Sequence, residues 1–194
     1  MKLEKYFNES RTVLEKSVSL EQEFAFESSL NCILDALSTG GRILVCGNGG
    51  SHADSLHFAG ELVNFFTRPH RALPVMALGS NSAVLTAWAN DHVFETQFER
   101  EVEAFGDSKS VLIGFSTSGK SSNVLKAFHK GKSLGMKNIA FTGISGSKLL
   151  ANCVDHLLIS ASDDTPRIQE THIVMYHALC AEVERRILEL EGNY

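Results

Sequence analysis

The sequence predicts an α/β protein: three layers, doubly wound, with a parallel sheet covered by helices on both faces. Three observations lead there. From Arg42 onward, short apolar runs of strand type alternate with longer segments of helical period. Strands separated by helices pair in parallel and need helices on both faces. The two loops richest in glycine and serine both follow a strand's carboxyl end, where open α/β sheets bind their ligands. A chain of 194 residues fits one domain, 1–194, with a substantial core. No linker, internal repeat or low-complexity segment interrupts it.

Residues 1–39 read as helical, an extension ahead of the sheet. Phe26, Leu30, Ile33, Leu34 and Leu37 form one apolar stripe, and Gly40-Gly41 stops it. Tyr6 and Phe7 are free to pack on the same chain or on a partner subunit. Residues 43–46 are the first strand, followed by a glycine loop and a helix over 53–66. The second strand spans 73–78, with Pro74 at its start, where a missing donor is tolerable. A short helix covers 82–89. Phe94, Phe98, Val102 and Phe105 mark the next helical stripe, closed by Gly106. The third strand is 111–115, then a Ser/Gly loop and a helix over 123–134 ending at Gly135. Residues 138–142 and 156–160 are the fourth and fifth strands. A long helix runs from Pro166 to about 190. Proline suits its first turn, and Asp164 and Thr165 are cap candidates.

Composition excludes several classes of function. A formal net charge of -5 argues against general nucleic-acid binding. It leaves an anionic small molecule open, because local helix ends can outweigh the global sign. The apolar runs fall far short of a membrane span. The charged start, Met1 to Lys5, leads into no signal-peptide core, so a cytoplasmic protein is expected. Cys32, Cys46, Cys153 and Cys180 form no Cys-x-x-Cys pair and read as free thiols in a reducing compartment.

Three stretches carry chemistry. In Cys46-Gly47-Asn48-Gly49-Gly50-Ser51, three glycines let backbone amides approach a ligand, and the helix that follows adds a positive dipole end. One turn deeper, His57 and Glu61 stand four apart on one helix face. Ser116-Thr117-Ser118-Gly119-Lys120-Ser121 offers hydroxyls at a helix start, suited to phosphate oxygens. We do not read Gly114 to Ser121 as a triphosphate-binding P-loop. In the last helix, Gln169 and His177 are eight apart, about 80° around an ideal helix, so a long glutamine side chain can bring them together. His172 faces elsewhere and reads as structural or supporting.

Taken in order, these stretches, with His57-x-x-x-Glu61, Asn90-Asp91 and Arg167-Ile168-Gln169-Glu170 followed by His177, resemble the bacterial phosphoheptose isomerases of the sugar-isomerase (SIS) superfamily. The resemblance runs over nearly the whole chain. It implies a flavodoxin-like five-stranded parallel sheet and a homotetramer with active sites between subunits. It also implies conversion of sedoheptulose 7-phosphate to D-glycero-D-manno-heptose 7-phosphate for surface heptose, in lipopolysaccharide or capsule.

The resemblance implies one zinc ion per subunit, held by His57, Glu61, Gln169 and His177. Two nitrogens and two oxygens are a plausible set, though glutamine is a weak donor. It implies substrate contacts at Asn48, Gly49, Gly50, Ser51, Asn90, Asp91, Ser116, Thr117, Ser118 and Ser121, with Asp54, Glu61 and Gln169 beside them. Aldose–ketose exchange through an enediol needs a base at carbon and an acid at oxygen. We expect Glu61 to serve the carbon and His177 the oxygens or ring opening. A carboxylate on a cation is a poorer base, so Glu61 binds through one oxygen, leaves the metal in turnover, or exchanges roles with His177.

The stretch Gly79-Ser80-Asn81-Ser82-Ala83, with Trp88 and His92, departs from the family's usual Thr/Asp-rich segment and bears on substrate choice. Two rival readings are a non-catalytic relative that binds a replication initiator and an isomerase for another phosphosugar. The first lacks the full set of His57, Glu61, Gln169 and His177, which this chain retains.

Overall fold

The computed structural model describes residues 1–192. Five strands, β1 (Ile43–Gly47), β2 (Val75–Ala77), β3 (Val111–Phe115), β4 (Lys137–Gly143) and β5 (His156–Ser160), form one sheet in the order 2-1-3-4-5. Every pairing is parallel; Ile43 lies opposite Val75 on one side and Val111 on the other. This is the doubly wound, flavodoxin-like order, and its switch point lies between β1 and β3. β1 and β3 are buried along their whole length, as strands covered on both faces must be.

Successive strand residues point to opposite faces, so each strand feeds two cores. Ile43, Val45, Val111, Ile113, Phe115, Ile139 and Phe141 face α2 (Leu20–Ser38), α3 (Gly50–Val63) and α8 (Thr165–Leu190). Leu44, Cys46, Leu112 and Ala140 face α5 (Gln97–Phe105) and α6 (Ser122–Ser133), which supply Phe98, Val102, Val124, Ala127 and Phe128. Each large apolar side chain fully buried in this way contributes about 1.5–3 kcal/mol.

The helical N-terminal region divides into two helices. α1 (Lys2–Ser17) ends at Val18, and Ser19 caps α2 by accepting from the Gln22 amide at 3.2 Å. α2 belongs to the core layer: Leu30, Ile33, Ala36 and Leu37 are buried on the sheet. Tyr6 and Phe7 of α1 remain exposed. α1 reaches the start of α8 through Ser10, which donates to Glu170 at 2.7 Å.

Further boundaries differ from expectation; α3 spans 50–63 rather than 53–66. β2 is shorter than 73–78. α4 (Ser82–Asp91) is capped by Asn81, whose side chain accepts from the Ala83 and Val84 amides. An unexpected helix, α7 (Ile144–Leu150), follows β4. Its Gly/Ser composition reads as loop. It is fixed by the Asp163 carboxylate, which accepts from the Ser145 amide at 2.8 Å. Close packing adds to this, since a Cβ on Gly146 would lie 2.0 Å from Thr142 Oγ1.

Candidate active site

The glycine loop is shorter than its spelling suggests, because α3 starts at Gly50 and takes Gly50 and Ser51 into its first turn. Gly49 is the N-cap, with φ +56, a conformation that side chains other than glycine rarely adopt. Its carbonyl accepts from His52 and Ala53 at 3.0 and 3.2 Å. The remaining first-turn amides lack helical partners. Across the switch point, Asn48 and Asn123 exchange two carboxamide hydrogen bonds, both 2.8 Å, which join the β1 loop to the first turn of α6.

The serine loop is held from behind. Thr142 Oγ1 donates to the Ser116 carbonyl at 2.7 Å, and Gly143 N to the Thr117 carbonyl at 3.0 Å. Ser116 and Ser121 hydroxyls lie 3.2 Å apart, and Ser118 Oγ accepts from the Lys120 amide at 3.2 Å. Gly114 to Ser121 does spell a P-loop letter for letter, so spacing alone gives no ground for setting that reading aside. The structure does. Gly114 lies inside β3, paired between Cys46 and Ala140, and Phe115 is fully buried, so only 116–121 are free to form a loop.

α3 and α8 pack against each other and bring His57, Glu61 and His177 together. One ligand-type atom from each lies within 4.8 Å of the others, a group that could hold a metal ion. His57 Nε2 is 2.8 Å from Glu61 Oε1. The His57 and His177 rings are 5.0 Å apart and nearly perpendicular. His177 Nε2 is buried without a hydrogen-bond partner. A buried polar atom left unpaired costs about 1–3 kcal/mol, so its place beside an imidazole and a carboxylate fits a cation. Burial, then the neighbouring His57, hold His177 below its ordinary pKa, with Glu61 opposing.

Gln169, on the first turns of α8, packs its carboxamide over the start of α3, where a Cβ on Gly50 would lie 2.4 Å from Nε2. A side chain at position 50 would push that flexible carboxamide aside. Asp54, one turn before His57, is buried with Oδ2 unpaired, and burial pushes it up to about 6, with His57 opposing. Asn90 and Asp91 sit at the end of α4, exposed and hydrogen-bonded to each other at 2.8 Å. A cavity of about 200 Å³ at the glycine loop is lined by Asn48, Gly49, His52, Gly79, Phe94 and Gln97, among others.

Two supporting groups were not read from the sequence. Tyr176, fully buried, hydrogen-bonds with His57 Nδ1 at 2.7 Å. Phe66 lies 5.4 Å from the His177 ring. Phe66 is placed by Glu184 of α8, whose carboxylate accepts from the Phe66 and Thr67 amides and the Thr67 hydroxyl. Burial alone would raise the Glu184 pKa; those hydrogen bonds win and hold it low. The signal for Tyr176 was available: a buried tyrosine needs a partner for its hydroxyl. His172, as expected, is buried apart from the cluster, packed against the stacked Phe115 and Phe141 rings at 5.8 and 5.7 Å.

A family model described as "SIS domain" matches residues 5–143. The chain is 45% identical to a phosphoheptose isomerase of Helicobacter pylori (strain P12) over 183 residues, 94% of each chain. Among solved structures, it is similar to a phosphoheptose isomerase from Francisella tularensis (TM-score 0.89, 34% identity, 95% of this chain and 97% of that one). It is also similar to one from Neisseria gonorrhoeae (TM-score 0.87, 35% identity, the same coverage).

Proposed function

This chain belongs to the phosphoheptose isomerases of the SIS-domain family, aldose–ketose isomerases, and from that premise we propose that it interconverts sedoheptulose 7-phosphate and D-glycero-D-manno-heptose 7-phosphate in the cytoplasm. The product would feed surface heptose, in lipopolysaccharide or capsule. The observation that carries the reading is the convergence of His57, Glu61 and His177, the first two on the helix that the glycine loop opens.

The phosphate and hydroxyls of the sugar would be held by the amides and side chains of Asn48, Gly49, Gly50 and Ser51, and by Ser116, Thr117, Ser118 and Ser121. Each set stands at a helix N-terminus, whose dipole favours an anion. Asn90, Asp91 and Asp54 would bind the rest of the chain. His57, Glu61 and His177 would hold one zinc ion, with Gln169 reaching in from α8. Zinc, when bound, supplies a Lewis acid at the sugar carbonyl.

Glu61 would move the proton between C1 and C2. Its Oε1 already faces His57, which leaves Oε2 for carbon. His177 would carry protons at the sugar oxygens, a role that suits an imidazole held neutral. The exposed Val84, Val93 and Phe94 around α4 are apolar surface that a homotetramer with sites between subunits would cover.

Proton NMR of the purified protein with sedoheptulose 7-phosphate, with and without a zinc chelator, tests this. New heptose 7-phosphate signals that vanish on chelation and return with zinc are expected. Turnover indifferent to chelation would remove the metal. No turnover by a folded, zinc-supplied protein would overturn the substrate, in favour of another phosphosugar or a binding protein.

A further inference from the structure

Tyr176 has no place in the chemistry above, yet it is enclosed right beside the cluster. It is fully buried, and its hydroxyl lies 2.7 Å from His57 Nδ1. Its ring meets the His57 ring edge-on at 5.6 Å and the His177 ring edge-on at 4.8 Å. Behind it, Phe58 and Phe115 pack edge-on at 6.1 and 5.9 Å, so the ring has little freedom to turn. His57 itself is the most exposed of the three clustered residues. An exposed imidazole samples several orientations and both tautomers unless something holds it.

We propose that Tyr176 is a positioning residue for His57: its hydroxyl binds Nδ1 and so presents Nε2 to Glu61 and His177. This rests on the reading of His57 as a metal ligand. With Nε2 2.8 Å from the Glu61 carboxylate, the proton of neutral His57 sits on Nε2, and Tyr176 donates to Nδ1. A cation bound at Nε2 takes the lone pair there, and the ring proton must then sit on Nδ1 and be accepted by the Tyr176 oxygen. A phenolic hydroxyl serves both arrangements because it donates and accepts. A backbone carbonyl or a carboxylate, the usual partners of a ligating histidine, would serve only the second.

Tyr176→Phe removes the oxygen and keeps the ring and its four edge contacts. Zinc affinity of the full chain, by competition with a chromophoric chelator, is expected to fall about 10–100-fold. Nitrogen-15 NMR of the histidine rings in the metal-free protein is expected to show the His57 Nδ1 resonance shifted in the variant. The thermal midpoint serves as the folding control. Zinc binding within twofold of the parent, together with an unchanged His57 spectrum, would overturn the proposal. The parent alone is a second test: a His57 Nδ1 with the shift of an unbonded, water-exposed imidazole would also overturn it. Should the parent bind no zinc, the metal reading fails, and the His57 spectra still decide whether Tyr176 holds the ring.

Discussion

On the α5–α6 face, the strands present Leu44, Cys46, Leu112 and Ala140 to a layer of Phe98, Val102, Val124, Ala127 and Phe128. The fit is close: a Cβ on Gly114 would lie 2.4 Å from the Phe128 ring. On the α2–α3–α8 face, the same strands present Ile43, Val45, Ile113, Phe115 and Phe141, and the layer above them holds Tyr176, His172 and Asp54 among the aliphatics. Both faces bury apolar area. The first encloses one carboxylate, Glu101 of α5, tied to the Gly79 amide at 2.6 Å; the second gathers its ionisable groups into a cluster where α3 and α8 meet. The difference separates two kinds of residue: those whose loss unfolds the protein and those whose loss leaves it folded and idle.

The comparison is sharpened most by His177→Ala. Removing an acid–base group from this kind of chemistry costs about 10²–10⁴-fold in turnover. His177 is half-buried at the rim, so the thermal midpoint should barely move. Turnover followed by NMR, beside a calorimetric scan, checks both halves.

Phe128→Ala should do the reverse. A fully buried phenylalanine truncated to alanine costs about 3–5 kcal/mol. Urea unfolding should show that loss, while turnover per folded molecule stays near the parent value. A Phe128→Ala protein that is stable but inactive would break the division between the faces.

His172 gives a smaller, pH-dependent effect on the site-bearing face. Burial, opposed by the Thr142 backbone, lowers its pKa from 6.5 to about 4. The unfolded chain therefore binds a proton in the window between these values that the folded chain does not. Stability should fall as pH drops from about 6.5 toward 4 and be insensitive to this residue above that window. Asp54, raised to about 6, contributes in the opposite direction below pH 6, so the parent slope alone is ambiguous. The difference in urea midpoint between parent and His172→Phe, followed across pH, isolates the histidine.

Arg185→Ala sets the lower limit. Arg185 pairs with Glu182 and Glu189 on the outer side of α8, largely in water. Exposed pairs contribute about 0–1 kcal/mol, screened by salt. A shift in urea midpoint beyond that range would mean the outer side of α8 carries more than solvation.

The sheet was legible because its signals are local. β3 and β5 fall where the apolar runs place them, and the 2-1-3-4-5 order follows the family resemblance. α7 was not legible, since the groups that fix it, Asp163 and Thr142, come from other segments. In the site, the His57–Glu61 pair was plain from its helical spacing, and His177 came with the resemblance. Tyr176 sits in an apolar stripe and reads first as core; its hydroxyl's need for a partner was the one signal, and it does not say which partner. Gln169 also kept part of its arrangement from the sequence: its packing over Gly50 depends on how α8 docks on α3.

The account turns on Glu61, the carboxylate that α3 carries out of the packed layer to meet His57 and His177. Glu61→Gln keeps the shape and removes the base. Turnover of sedoheptulose 7-phosphate by the zinc-supplied variant should fall about 10²–10⁴-fold, with sugar phosphate still bound and the thermal midpoint unchanged. Turnover near the parent rate would contradict the account and take Glu61 out of the chemistry.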